Sequence, residues 1–440
     1  MKSHRLTVAT GVLSCAALVL AACGGSSGSS GSGSSASGVI HLTMWQQWGG
    51  GHEEAALDSA IKDYEHLHPN ISITETPVTN DAKILSAISG GNPPDIIDLG
   101  TTLELASWAT EGAITPLNSY ISKSKLDTSK FVPDALKPVT VGGKVYALPF
   151  MDFTAGLLYN KKLFAAAGLN PNDPPTTLEQ LTADAKKLTK TGAGGKITQL
   201  GFTPDWPGPD EGQVCPLETY GWLFGGQWYD SSTGKITPDT PANVAALSWE
   251  ASYVKQYGAQ NIANFLSSAG AYLTAQDPFE SGKLAMVYDG PWALQYIDAN
   301  VPSEASSIGV APLPAPAGES QNTGTSFIDT NPQLVPRGAQ YPQQAYDFIS
   351  WLTTNAQLAS TFANLVANLP QLKSVPSFSL EKNAGFDFFI KNGASSHVHV
   401  WPPLATSSEY ATKLCQAQNA ALYGQQTPAQ ALSSLTNLSQ

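Results

Sequence analysis

Between Ile40 and Leu99 the apolar pattern switches between two periods, and that alternation limits the folds open to this 440-residue chain. Ile40, Leu42 and Met44 recur at every second residue, which puts their side chains on one face of a strand. After the break at Gly49-Gly50-Gly51, Leu57, Ile61 and Tyr64 fall at helical spacing. Ile71 and Ile73 return to period two, and Ile84, Leu85 and Ile88 to a helix. Asp95-Ile96-Ile97-Asp98-Leu99, after Pro93-Pro94, reads as a buried strand. This β-α-β-α-β order implies an α/β fold with a mainly parallel sheet and helices on both faces. The pattern resumes after Pro149 with a short strand at Leu157–Tyr159 and a helix over 161–167 that Gly168 stops. Thr176 and Glu179 then stand at capping-box spacing ahead of Leu178, Leu181, Ala185 and Leu188. Pro, Gly and aromatic residues crowd 201–230, where long loops over a cleft are expected. Ala345, Phe348, Ile349 and Leu352 open a helical C-terminal part, and no internal repeat is visible.

The length suits two cores rather than one. Hydrophobic residues make up 42% and charged residues 13%, a globular balance. The formal net charge is −12, and the only arginines are Arg5 and Arg337. Arginine is the side chain suited to bidentate recognition of phosphates and carboxylates. So poor a supply argues against nucleic acid, which needs a basic footprint, and against strongly anionic solutes. A neutral ligand fits better. Ten Trp and fifteen Tyr are many for a chain so poor in charge, so some rings are expected to face that ligand.

The N-terminus reads as an address. Lys2 and Arg5 precede an apolar run from Leu6 to Ala22, the layout of a secretory signal over 1–22. Its end, Leu20-Ala21-Ala22-Cys23, resembles the bacterial lipobox, which implies lipidation of Cys23 and anchoring outside the cell membrane. An ordinary signal peptide or a short membrane anchor is the alternative. Residues 24–38 are nearly pure Gly and Ser, a flexible tether with a reach on the order of 20 Å. No later stretch is apolar for long enough to span a bilayer. With Cys15 in the signal and Cys23 under the lipid, Cys215 and Cys415 remain, and their spacing alone does not show whether they pair.

Several segments, taken in order, resemble the extracellular solute-binding proteins of carbohydrate ABC importers, the family that includes maltose-binding protein. They are Met44-Trp-Gln-Gln-Trp48, Gly90-Gly-Asn-Pro-Pro-Asp-Ile-Ile97, Gly143-Lys-Val-Tyr-Ala-Leu-Pro149 and Leu158-Tyr-Asn-Lys-Lys-Leu-Phe164 with Ala167-Gly-Leu169. Phe279-Glu-Ser-Gly-Lys-Leu-Ala-Met286 and Asp289-Gly-Pro-Trp292 complete the set. The resemblance covers nearly all of 39–440. It implies a two-lobed, type II periplasmic-binding-protein fold, each lobe a mainly parallel sheet flanked by helices, with the ligand between the lobes. Crossings are expected near Asp152, near Ala317–Thr323 and within 350–375. That assigns 39–152 and about 323–360 to one lobe, and 153–322 and about 361–440 to the other.

By the same resemblance the chain is a binding protein and not an enzyme. It takes no cofactor or metal, stays monomeric, and docks its closed form on the permease subunits of an ABC importer. The implied ligand is a neutral sugar, a di- or oligosaccharide; the alternative is the same fold binding a polyol, betaine or other small neutral solute, or acting as a sensor. Rings cover the C–H faces of a sugar, and carboxylates and amides take its hydroxyls. The positions carried over are Gln47 and Trp48 after the first strand, Thr101 and Thr102 after the third, and Asp152 at the first crossing. Gln213, Glu218 and Trp222 precede Gly225-Gly226, Asp289 stands before the stacking ring Trp292, and Trp206 and Trp401 occupy variable loops. Trp45, Trp108, Trp249 and Trp351 read as core instead. A Cys215–Cys415 disulfide would stiffen the wall of the second lobe, and two buried thiols are the alternative. Asn322-Thr323-Gly324 matches the family's glycine-rich segment imperfectly, so the exact sugar stays open. A glycoside hydrolase would need two carboxylates roughly 5–9.5 Å apart in a cleft, and Glu53-Glu54 are more simply the first turn of a helix.

Overall fold

The computed structural model describes residues 38–48, 51–205, 214–382 and 384–438. The expected signal, Cys23, most of the tether, Trp206 and Gln213 lie outside the described residues.

Strands β1 (Ile40–Gln46), β2 (Ile71–Pro77) and β3 (Ile96–Asp98) run parallel, with Met44 opposite both Glu75 and Ile96. Helices α1 (Gly51–Leu67) and α2 (Asp81–Ser89) connect them, and α3 (Leu105–Thr110) follows β3. The period of two decides what packs where. Leu42, Met44 and Ile96 enter one core with Leu57, Ile61 and Tyr64 of α1. Ile97 turns to the opposite face and meets Ile84 and Ile88 of α2 with Leu105 and Trp108 of α3. Trp45 packs at the edge of that second cluster, in keeping with a core role.

The fully buried β4 (Ala147–Thr154) joins this first sheet, and one residue later β5 (Gly156–Asn160) opens a second. Helices α4 (Lys161–Ala166), α5 (Leu178–Leu188), α6 (Leu217–Leu223) and α7 (Pro241–Tyr257) build the second lobe. Strands β6 (Met286–Asp289) and β7 (Ile308–Ala311) flank β5, with α8 (Trp292–Asn300) between them in sequence. Alternation again sorts the side chains. Leu157, Tyr159, Met286 and Tyr288 share a core with α4 to α7, while Leu158 and Val287 face the other way.

The chain returns on β8 (Ser326–Leu334), which pairs with both β3 and β4 in the first sheet. Helices α9 (Pro342–Thr354) and α10 (Ala356–Val366) and strand β9 (Leu369–Pro370) follow. Then come α11 (Ala384–Gly393), β10 (Val398–His399) beside β8, and α12 (Ser407–Leu422), which packs on α6 and α7.

The two-lobed α/β class stands, and four details differ from the sequence reading. Among these strands parallel pairing is confined to β1 to β3 and the short β8–β10 ladder, because β4 and β8 carry the chain across in opposite directions side by side, Thr154 against Ile328. In the second sheet both β6 and β7 lie antiparallel to β5. The third crossing comes later than 350–375: α10 lies on α1 and β4, and β9 pairs with β4, so neither belongs to the second lobe. Finally, the cap of α5 is Thr177, whose hydroxyl accepts from Gln180 N at 3.1 Å, while Gln180 Oε1 accepts from Thr176 N at 3.0 Å. Adjacent threonines made the register ambiguous by one residue.

Candidate ligand-binding cleft

The carboxyl end of β3 runs through Gly100 into Thr101 and Thr102, the position at which open α/β sheets present ligands. A Cβ on Gly100 would lie 2.7 Å from Gln47 Oε1, so a larger residue here would push the end of that side chain aside. Across from them stands β8. Pro332 has no N–H to give the ladder, and the pairing with β4 shifts register between Thr330 and Pro332. That irregularity leaves Asn331 Nδ2 to donate to Gly100 O at 3.0 Å. One turn of strand earlier, Asp329 accepts from Thr102 N at 3.2 Å, Thr102 Oγ1 at 2.7 Å and Thr330 N at 2.8 Å.

Asp329 opens onto a cleft lined by residues of both lobes. Its lining takes Thr101, Thr102 and Leu103 from the end of β3, Val214 and Glu218 from the second lobe, and Phe327 to Asp329 from β8. Trp401, held between Val400 and Pro402-Pro403, completes the wall with Ser407. Trp401 leans on Tyr410 at 4.9 Å and Trp228 at 6.3 Å between ring centroids, and its Nε1 donates to Ser407 O at 3.3 Å. The ring is thus braced from behind with one face left for the cleft.

Glu218 is 6% exposed, and burial, followed by the nearby charge of Asp329, pushes its carboxyl well above the usual range. Burial likewise raises Asp329 from 3.8 to about 6, against the three donors that lower it. No Lys or Arg appears among these lining residues. Two carboxyls with raised proton affinity, two threonine hydroxyls and one braced indole can both donate to and accept from neutral hydroxyls. The same pair would repel an anion.

The other expected residues lie outside this lining. Trp292 packs edge-on against Phe153 at 5.8 Å, and Phe153 in turn against Phe327 at 6.1 Å, which links it to the cleft lining. Its Nε1 donates to Tyr272 Oη at 2.7 Å, and Tyr272 donates to Asp289 at 2.8 Å. Asp289 also accepts from Gly290 N at 2.7 Å, so its role in the turn is real alongside any contact with ligand. Trp48 is half-buried between Phe150 and Phe362, at 6.2 and 6.1 Å. Asp152 is 2% exposed on β4, and Trp222 is buried and stacks on His399 at 4.9 Å. Asp329, Phe327, Leu103 and Pro402-Pro403 line the cleft without having been singled out from the sequence.

The two crossing strands are tied by one hydroxyl. Ser326 Oγ accepts from Thr154 Oγ1 at 2.9 Å and from Ala155 N at 3.0 Å, and lies 2.8 Å from Tyr288 Oη. Away from this hinge the lobes touch again: Tyr296 Oη donates to Glu53 Oε1 at 3.0 Å, and Ser408 Oγ donates to Glu104.

Residues 49–359 match the bacterial extracellular solute-binding proteins, and the chain belongs to that family. It is therefore the non-enzymatic binding component of an ABC transporter. The solved structure of CpMnBP1 with mannotriose bound is 34% identical, with a TM-score of 0.80 over 90% of this chain and 99% of that one. A maltotriose-binding protein of Pyrococcus abyssi is 23% identical over 74% of this chain, a match that spans 65% of that protein's own length. A maltooligosaccharide ABC transporter solute-binding lipoprotein of Streptococcus pneumoniae is 26% identical, over 81% of this chain and 78% of the relative.

Proposed function

We propose that this protein captures a neutral oligosaccharide of two or three sugar units outside the cell and passes it to a membrane permease. The observation that carries the reading is the cleft itself: paired carboxyls, paired threonines and a braced Trp401, with no cation among the lining residues. Sugars offer hydroxyl edges and apolar faces, and this lining answers both. The relative holding mannotriose makes manno-oligosaccharides the first ligands to try. We assign the expected pocket residues Gln47, Trp48, Asp152, Trp222, Asp289 and Trp292 to the flanks of the same binding region, along with Trp206 and Gln213. The lobes close about the β4–β5 and β8 crossings, and Cys23 carries the lipid that keeps the protein at the membrane. Loss of membrane fractionation in Cys23→Ser tests that last part.

Thermal unfolding with a ligand panel tests the substrate. At a hundred times Kd a ligand that binds only the folded state adds about 2.7 kcal/mol of stability. Mannobiose and mannotriose are expected to raise Tm by several degrees, with mannitol and betaine leaving it unchanged. A rise with mannitol or betaine alone would keep the family and overturn the sugar.

A further inference from the structure

We infer that Cys215 and Cys415 close a disulfide when the protein is exposed to the extracellular redox environment, and that this bond fixes one wall of the ligand cleft. Both are thiols in the structure, and each is partly exposed. They lie 200 residues apart in sequence, yet Cys215 N donates to Cys415 Sγ at 3.0 Å. Adding one N–Cα bond to that contact puts Cys215 Cα at most about 4.5 Å from the partner sulfur. That places the two cysteines within the reach of a disulfide.

The place of the pair in the fold gives the bond a consequence. Cys215 follows the cleft residue Val214, and its carbonyl accepts from Glu218 N at 2.9 Å at the start of α6. Cys415 lies on α12, two turns beyond the cleft residue Ser407. A covalent link therefore joins the segment that places Glu218 to the helix that braces Trp401. Membership in an extracellular family puts the pair where disulfides persist.

The chemistry needs a two-electron oxidant, supplied by an external disulfide. The Cys215 thiol holds the Cys415 thiol below its ordinary range by hydrogen bonding, whereas burial pushes Cys215 up. Cys415, as thiolate, attacks one sulfur of the external disulfide and expels the other as a thiolate. Cys215 loses its proton and attacks the mixed disulfide at Cys415, expelling the second thiolate. The protein gives up two protons and two electrons, and the external disulfide leaves as two thiols.

The test requires no ligand, so it can fail independently of the sugar reading. The full-length protein, isolated without reductant and equilibrated with oxidised glutathione, is denatured in iodoacetamide and mapped by peptide mass spectrometry. The expected result is a linked peptide pair containing Cys215 and Cys415, with both carboxamidomethylated only after reduction. Reduction of the folded protein is expected to lower Tm by about 5 °C or more, since the closed loop is long. Two alkylated cysteines in the oxidised sample would overturn the bond. An unchanged Tm on reduction would overturn its role in holding the cleft wall.

Discussion

Trp401→Ala is expected to weaken oligosaccharide binding by about 100-fold, the scale of a buried aromatic anchor at a binding centre. The ring is held by Tyr410 and Trp228 behind it and by its own hydrogen bond to Ser407 O. Its cost of ordering is therefore met before ligand arrives, and its face is available to a sugar's C–H surface. Truncation removes that face and opens the cleft to water beside Glu218 and Asp329, where water competes for their hydrogen bonds. Trp401→Phe keeps a flat apolar face and is expected to bind within about 10-fold of wild type. Calorimetric Kd values for the two variants, with Tm as a check on folding, decide the matter. A Trp401→Ala protein that folds and binds as wild type would remove Trp401 from the site.

The second large effect concerns pH. Asp329 is raised from 3.8 to about 6 by burial, so the folded state holds its proton more tightly than the unfolded chain does. The sign follows from linkage: this contribution to stability is complete below about pH 4 and is lost as pH rises through about 6. Burial also pushes Glu218, Glu250 and Asp98 well above the usual range, and each acts in the same direction. These groups together favour a lower unfolding temperature at pH 7.5 than at pH 4, whereas His399, lowered by burial, acts in the opposite direction. In Asp329→Asn the drop is expected to be smaller by about 2–4 °C, because that variant has no proton to lose. Asparagine keeps only part of the acceptor capacity toward Thr102 and Thr330, so the slope with pH is the readout, not Tm at one pH. Parallel curves for the two proteins would show that Asp329 does not titrate in the folded state as described.

Much of the fold was legible because local periodicity is a local property. Every second residue of β1 and β5 is apolar in register with the core it meets, and α1 shows its buried face in Leu57, Ile61 and Tyr64. Strand direction was not legible, since it depends on where the chain crosses between lobes. The pattern of β4 looks the same whichever way β8 runs beside it. Thr101, Thr102, Glu218 and Trp401, from separate segments of the chain, line one cleft. Asp329 escaped because Ser326-Phe-Ile-Asp-Thr-Asn-Pro-Gln333 has neither period, and its proline speaks against an interior strand. The polar density of that segment was the available signal: Ser326, Thr330, Asn331 and Gln333 are all buried, so each had to have a partner or a purpose. Trp292 was expected as the main stacking ring, and its bond to Tyr272 and contact with Phe153 come from residues that no motif names.

The central claim is that this protein binds a neutral oligosaccharide reversibly in the cleft beside Trp401. Calorimetric titration of purified protein, freed of endogenous ligand, with mannotriose tests it most directly. The account predicts saturable one-to-one binding, strongly weakened in Trp401→Ala, with the sugar recovered intact. No heat of binding with mannotriose, mannobiose or maltotriose, or binding untouched by Trp401→Ala, would contradict it.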